Sequence, residues 1–268
     1  TRKESSAASD GYKRQLLMKL FQIHLMIQNN NILKGKNCFI TGATGGLGKS
    51  LAIELASSEC NLFLTSTNKK KLEKLKFFLS RLNPNIVIYS DVCDLTNLNN
   101  IKNTIKKFRS TIRTCDILIN CAGVLSVKLL SKSIIDNFDS CFDVNVRAPF
   151  LFSKEFSNDM KKKKWGRIVN IGSSSSYEGF RETSIYSASK HAILGFSRSI
   201  QKELISYGIR TYCFSPGSIK TKMGKQIKGQ NYSTFIEPKE IAEIILASIR
   251  LDKEMITPEI RLDRIDRI

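Results

Sequence analysis

Histidine is almost missing from this chain: it occurs twice in 268 residues, as His24 and His191, which excludes a histidine-built metal cluster. Cysteine is present but unorganised. Cys38, Cys60, Cys93, Cys115, Cys121, Cys141 and Cys213 are odd in number and never fall in a Cys-x-x-Cys spacing. Neither a zinc site nor a disulfide framework is indicated, and no metal is expected. Several cysteines lie in apolar runs, where the reduced thiol behaves as a small hydrophobe, so a reducing cytoplasm is the expected compartment. No apolar run approaches the ~20 residues that span a bilayer. The nearest, Leu16–Ile27, is short, weakly basic and without a convincing small-residue cleavage site. Neither a membrane span nor a signal peptide is expected. Acidic residues are also few, 24 against 43 lysines and arginines, for a net charge of +19.

That charge invites a nucleic-acid partner. The lysines, however, are dispersed through a chain rich in asparagine and isoleucine. The densest run, Lys161–Lys164, stands just before an apolar stretch, where a solvated turn is expected, with contact to an acidic partner as the lesser reading. No nucleic-acid partner is expected. Residues 1–34 differ from the rest. Asp10-Gly-Tyr-Lys-Arg-Gln15 resembles translated adapter sequence, which makes Met18 or Met26 alternative starts. The segment is read as an extension, non-native or else disordered or helical, with a peripheral amphipathic helix as runner-up. The domain is expected over 35–268.

From residue 36 onward apolar strands alternate with amphipathic helices. Asn37–Thr41, Asn61–Ser66, Asn85–Ser90, Asp116–Asn120, Arg167–Ile171 and Thr211–Ser215 read as short buried strands. Gly46–Ser58, Lys69–Arg81, Leu98–Arg109, Ile134–Met160 and Ser184–Tyr207 read as helices. Such alternation predicts an α/β domain: one doubly wound parallel sheet of Rossmann type with helices on both faces. In such sheets ligands bind beyond the carboxyl ends of the strands, and every chemical motif here falls at one of those ends.

Gly42, Gly46 and Gly48 follow the first strand and open a helix, where glycine permits a tight turn and close approach of a pyrophosphate. Ala43-Thr-Gly-Gly-Leu-Gly-Lys49-Ser50 also fits a loosened phosphate-loop pattern. On that reading Lys49 would hold phosphates, Ser50 a magnesium ion, and Asp91 would add an acid, giving an NTPase. It leaves a second constellation without a role. Tyr186 and Lys190, four apart, share one helix face, and Ser173 stands 13 residues upstream. An ammonium beside a phenol favours the phenolate, which tunes a proton donor and acceptor for work on an alcohol or ketone.

The chain from about Lys36 to its C-terminus resembles the short-chain dehydrogenase/reductase family, and its core is most like 3-oxoacyl-acyl-carrier-protein reductases. The matching residues are Thr41-Gly-x-x-x-Gly-x-Gly48, Asn120-Cys-Ala-Gly123, Asn145, Ser173, Tyr186-x-x-x-Lys190 and Pro216-Gly-Ser-Ile-Lys-Thr221. The resemblance implies hydride transfer between a nicotinamide cofactor and a carbonyl or alcohol. Tyr186 would be the general acid and Ser173 would bind the substrate oxygen. Lys190 would hold the nicotinamide ribose and Asn145 a water linking Lys190 to solvent. Gly42, Thr44, Gly45, Gly46, Leu47 and Gly48 would cradle the cofactor, with Asn120, Ala122 and Gly123 opposite. Asp94 and Leu95 would flank the adenine. Pro216, Gly217, Ile219 and Thr221 would meet the nicotinamide.

Cys121 departs from the second asparagine usual in its motif. The second strand ends Thr65-Ser-Thr-Asn68, with no acid for a ribose hydroxyl and no arginine for a 2′-phosphate. Ser66, Thr67 and Lys69 remain able to bind that phosphate, so NADP(H) is expected over NAD(H), which stays possible. The C-terminal Pro258–Asp263 segment lacks the glycine-rich ending of many fatty-acid reductases. The expected substrate is a small carbonyl or alcohol, possible members being a 3-oxoacyl thioester and, in the same family, a sugar or polyol. A non-catalytic dinucleotide sensor is the alternative from another class. A homodimer or homotetramer is implied, through helices at about 134–160 and 184–207. Ala192, Ile193, Phe196, Ile200 and Leu204 form either the interface stripe or an ordinary core stripe.

Overall fold

The computed structural model describes residues 31–227 and 229–265. The Leu16–Ile27 run and the alternative starts at Met18 and Met26 lie outside them. Seven strands form one parallel sheet: β1 (Asn37–Thr41), β2 (Asn61–Ser66), β3 (Ile88–Val92), β4 (Ile117–Asn120), β5 (Gly166–Ile171), β6 (Ile209–Pro216) and β7 (Glu259–Leu262). Their order is β3-β2-β1-β4-β5-β6-β7, so the winding reverses between β1 and β4 and opens a crevice at that point. The inner strands are apolar at nearly every position because both faces are covered. All of Ile117–Asn120 is buried, for example.

Helices α1 (Gly46–Ser57), α2 (Lys69–Leu82), α3 (Leu98–Thr111), α4 (Ile135–Phe142), α5 (Ala148–Lys163), α6 (Ser184–Leu204) and α7 (Pro238–Arg250) cover the sheet. Strand residues alternate between two cores. Ile40, Leu64 and Ile119 face α1, α2 and α7. Phe39, Phe63 and Leu118 face α3, α5 and α6. The second core is aromatic: Phe39 stacks on Phe63 at 5.3 Å and meets Phe152 and Phe156 at 4.9 Å. Each such ring buried contributes about 1.5–3 kcal/mol.

The single helix expected over Ile134–Met160 is divided. A π-helical turn, Asp143–Arg147, separates α4 from α5, and Pro149 sits in the first turn of α5. Proline has no N–H to donate four residues back, so the α-helical bond to the Asn145 carbonyl is lost. β3 starts three residues later than expected, because Asn83 and Asn85 form a side-chain-stabilised turn and Asn61 Oδ1 accepts from Val87 N at 2.9 Å. Two elements were not expected. α7 begins at Pro238 and buries Ile241, Ile245 and Ile249, four apart. β7 is a short edge strand whose alternation of Glu259, Ile260, Arg261 and Leu262 is masked by its charges. Lys161–Lys163 form the last turn of α5 and Lys164 closes it at φ 51°, so these cations meet the negative helix end. The packed region reaches back past residue 35: Leu33 is fully buried and its carbonyl accepts from Cys60 Sγ. Ile193, Ile200 and Leu204 are buried within the chain, so these positions of the α6 stripe are core, while Ala192 and Phe196 are half-buried.

Candidate active site

The glycine loop is fixed by clearance. Gly42 has φ 65°, and a Cβ there would lie 2.7 Å from the Ala122 Cα. A Cβ on Gly48 would overlap the Gly42 carbonyl oxygen, and one on Gly46 would lie 2.5 Å from the Thr221 methyl. Thr41 Oγ1 accepts from both Cys121 N and Ala122 N at 3.1 Å, clamping the β4 turn to the end of β1. Thr41 was not among the expected site residues, although it opens the glycine motif. Gly45 stands at the N-cap of helix α1 with no side-chain hydrogen bond, so the helix's first N–H groups have no side-chain acceptor and suit an anion. These residues fit a dinucleotide pyrophosphate. Leu47 is buried beneath the loop.

Thr44 Oγ1 and Ser66 Oγ share a hydrogen bond of 2.5 Å, which ties the glycine loop to the end of β2. Thr67 beside it is exposed. α2 opens with Lys69, Lys70 and Lys71 and has no acid in its first turn. Cations at a helix N-terminus are unfavourable to the helix itself, so this turn suits an added anion. Asp94 is engaged locally, accepting from Thr96 N at 2.9 Å and Thr96 Oγ1 at 2.7 Å. Leu95 is buried in the aromatic core. Asn120 likewise turns its side chain inward, donating to Asn170 Oδ1 at 2.8 Å, and Asn170 donates to Ser197 Oγ at 2.9 Å.

On the other side of the crevice, Ser173 caps the short turn Ser174–Ser176 that follows β5. Its Oγ accepts from Ser175 N at 3.1 Å, which leaves the hydroxyl proton free for another oxygen. Ser175 and Ser176 are buried, and Ser176 Oγ accepts from Ser173 N at 3.1 Å. α6 packs against this turn and carries Tyr186 in its first turn, half-buried. Lys190 is 5% exposed, and its Nζ donates to Ile171 O at 2.7 Å. That Nζ lies 5.7 Å from the Tyr186 ring centroid. Among the described residues no carboxylate stands within ion-pair distance of Lys190, an unusual environment for a buried lysine. Gly123 marks the meeting point: a Cβ there would lie 3.4 Å from Asn145 Oδ1 and 3.9 Å from Lys190 Nζ.

Past β6, Gly217 N donates to Leu262 O at 2.8 Å, and Ile219 bridges to Ile236. These contacts lay Thr221 over Gly46. Tyr177, next to the serine turn, is no rival for Tyr186. Burial and then the Glu259 carboxylate push its phenol up, and it donates to Glu259 Oε2 at 3.2 Å. Burial pushes the Cys121 thiol up to about 12, so it is no nucleophile.

The groups an NTPase would need do not converge. Lys49 Nζ lies 6.0 Å from the Phe78 ring centroid, toward α2. Ser50 Oγ bonds to Gly46 O within its helix, and Asp91 is held by Thr104 and Lys107 at 2.7 and 2.6 Å.

A family model for short chain dehydrogenases matches residues 36–231. A 3-oxoacyl-[acyl-carrier-protein] reductase of Buchnera aphidicola is 31% identical over 223 residues, covering 83% of this chain and 87% of that protein. The enzyme of the same name from Rickettsia typhi is 32% identical over 203 residues, 76% of this chain and 80% of its own. Among solved structures, a metagenomic short-chain oxidoreductase in complex with NADP superposes with a TM-score of 0.75 at 25% identity, covering 86% of this chain and 97% of that one. Levodione reductase superposes with a TM-score of 0.78 at 24% identity, covering 86% and 96%.

Proposed function

The chain belongs to the short chain dehydrogenase family, and from that premise we propose that it reduces a 3-oxoacyl thioester or similar ketone with NADPH. The convergence of Asn145 and Lys190 at Gly123, beside a glycine loop with an uncapped helix end, carries this reading. The bound nicotinamide supplies the hydride. Tyr186 gives its phenolic proton to the forming alkoxide. Ser173 donates its free hydroxyl proton to the same oxygen and stabilises the developing charge. Lys190 holds the cofactor ribose and favours the phenolate left behind. The Asn145 carbonyl, which Pro149 leaves without its α-helical donor, holds a water from which a proton passes by way of Lys190 back to the Tyr186 phenolate.

The substrate class rests on the relatives' printed activity. NADPH over NADH rests on the NADP complex of the structural neighbour and on the lysines that open α2. A cytoplasmic setting rests on seven free cysteines, and no helix among the described residues is long and apolar enough to cross a membrane. A homodimer or homotetramer follows the family, with the covered face moved from the α6 stripe to Ile135 and Phe138 of α4 and Phe150 of α5, which are exposed.

Initial rates against a 3-oxoacyl thioester, simple ketones and polyols, each with both cofactors, test the proposal. The expected result is the highest kcat/KM with the thioester and NADPH. Equal or better kcat/KM with NADH removes the cofactor assignment, and a polyol preference removes the substrate class.

A further inference from the structure

Ser189 lies inside the Tyr186–Lys190 turn and is fully buried. Its hydroxyl donates to the Tyr186 carbonyl at 2.7 Å and accepts from Asn145 Nδ2 at 3.0 Å. Those two bonds set its orientation, because a hydroxyl has one proton to give. Asn145 is 2% exposed and pairs twice with one residue of the segment after β4. Its Oδ1 accepts from Val124 N at 2.9 Å, and its Nδ2 donates to Val124 O at 3.0 Å. A backbone amide can only donate and a carbonyl only accept, so this pair settles which end of the Asn145 amide is nitrogen. One Nδ2 proton remains. It faces Ser189 Oγ and the weaker acceptor Cys141 Sγ, 3.3 Å away.

We propose that Ser189 is a positioning residue that couples Asn145 to the Tyr186–Lys190 turn. It acts through Asn145 and keeps the π-helical turn at one spacing from the acid and its lysine. The inference rests on the catalytic reading of Tyr186, Lys190 and Asn145 given above. A hydroxyl that merely filled space would matter equally whether or not Asn145 were present. A coupling hydroxyl stops mattering once Asn145 is gone.

The test is a double-mutant cycle in the full chain: Ser189→Ala, Asn145→Ala and the pair, with kcat, KM and Tm measured using NADPH and a 3-oxoacyl thioester. Ser189→Ala is expected to lower kcat roughly three- to tenfold, the scale of one neutral hydrogen bond. Both KM values should stay within about twofold, and the double variant should be no slower than Asn145→Ala alone. Losses that multiply overturn the proposal. Ser189→Cys keeps the volume with a weaker acceptor, so it should fall between wild type and Ser189→Ala; full wild-type rates count against the bond. Amide exchange at Val124 gives a readout that needs no turnover. Ser189→Ala should speed exchange of that N–H selectively, and an unchanged rate overturns the coupling. If the wild-type chain reduces no carbonyl compound, the functional reading falls while exchange at Val124 still decides the coupling.

Discussion

The glycine loop at 42–48 and the loop at 222–236 meet where Thr221 lies on Gly46, yet they are built on opposite plans. In the first, clearance rules: Gly42 and Gly48 pack on backbone and Gly46 on the Thr221 methyl, none has room for a side chain, and the Thr41 hydroxyl locks the neighbouring turn. In the second, backbone turns such as Ile227 N to Gly224 O at 3.0 Å carry exposed side chains such as Lys222 and Gln226, with Lys225 Nζ 5.1 Å from the Tyr232 ring centroid, and Ser218 before the loop donating to Gln230 Oε1 at 2.7 Å. Only Gly224 is fixed there by clearance, against the Ile219 carbonyl. Backbone packing leaves few acceptable residues, whereas exposed side-chain contacts leave many. The first loop therefore leaves a readable signature in the sequence, and the second leaves little.

The largest expected effect breaks the first loop. Gly48→Ala forces a methyl into the Gly42 carbonyl, and neither backbone can yield without moving β1. Overpacking of this kind costs about 1–3 kcal/mol, so Tm should fall by several degrees and NADPH affinity by at least about tenfold. A titration showing wild-type affinity would show that the loop is softer than its clearances indicate. Next, Thr67→Asp at the end of β2 should reverse cofactor preference toward NADH, because a carboxylate would face the 2′-phosphate beside Lys69. Paired kcat/KM values for NADPH and NADH check this; an unchanged ratio moves the phosphate site away from β2.

A smaller effect concerns the side-chain ties of the second half. Arg198 donates to Glu259 through Nε at 2.6 Å and through a terminal nitrogen at 2.8 Å, pinning β7 to α6. The guanidinium holds the Glu259 carboxyl below its usual range. A depressed carboxyl pKa adds stability above the unfolded value and loses it as pH falls through the folded value. The Tm gap between wild type and Arg198→Ala should therefore be present at neutral pH and close on acidification below the ordinary carboxylate range. The pair is half-exposed, so the gap should be small. A gap that widens in acid contradicts the assignment. The smallest effect is Lys225→Ala in the second loop, expected to change stability by no more than about 0.5 kcal/mol while changing KM for the carbonyl substrate. Denaturant unfolding and KM together read it; a loss comparable to Gly48→Ala would erase the contrast between the loops.

The same contrast explains what was legible in the sequence. β1, β2 and β4 could be read because burial on both faces makes them continuous apolar runs. Gly42, Gly46 and Gly48 could be read because clearance restricts them to glycine, and Tyr186 and Lys190 because residues four apart share a helix face, whereas Ser173 was legible only through the spacing of the family the chain resembles. The π-helical turn at Asp143–Arg147 could not, since its periodicity merges with the helices on either side and only Pro149 signals a break. β7 was hidden by Glu259 and Arg261, whose charges are spent on Arg198, Tyr177 and Glu178 across the fold. The side chains of Asn120 and Leu95 turn into the core, a direction that one-dimensional spacing does not record.

The central claim is that the crevice holds a cofactor and a proton donor as separable parts. Tyr186→Phe tests it most directly when NADPH binding and single-turnover reduction of a 3-oxoacyl thioester are measured on the same sample. The account predicts that NADPH affinity stays within about twofold of wild type while the rate falls at least about a hundredfold, the general-acid contribution. A variant that keeps more than about a tenth of the wild-type rate, or that loses NADPH binding along with it, would contradict the account.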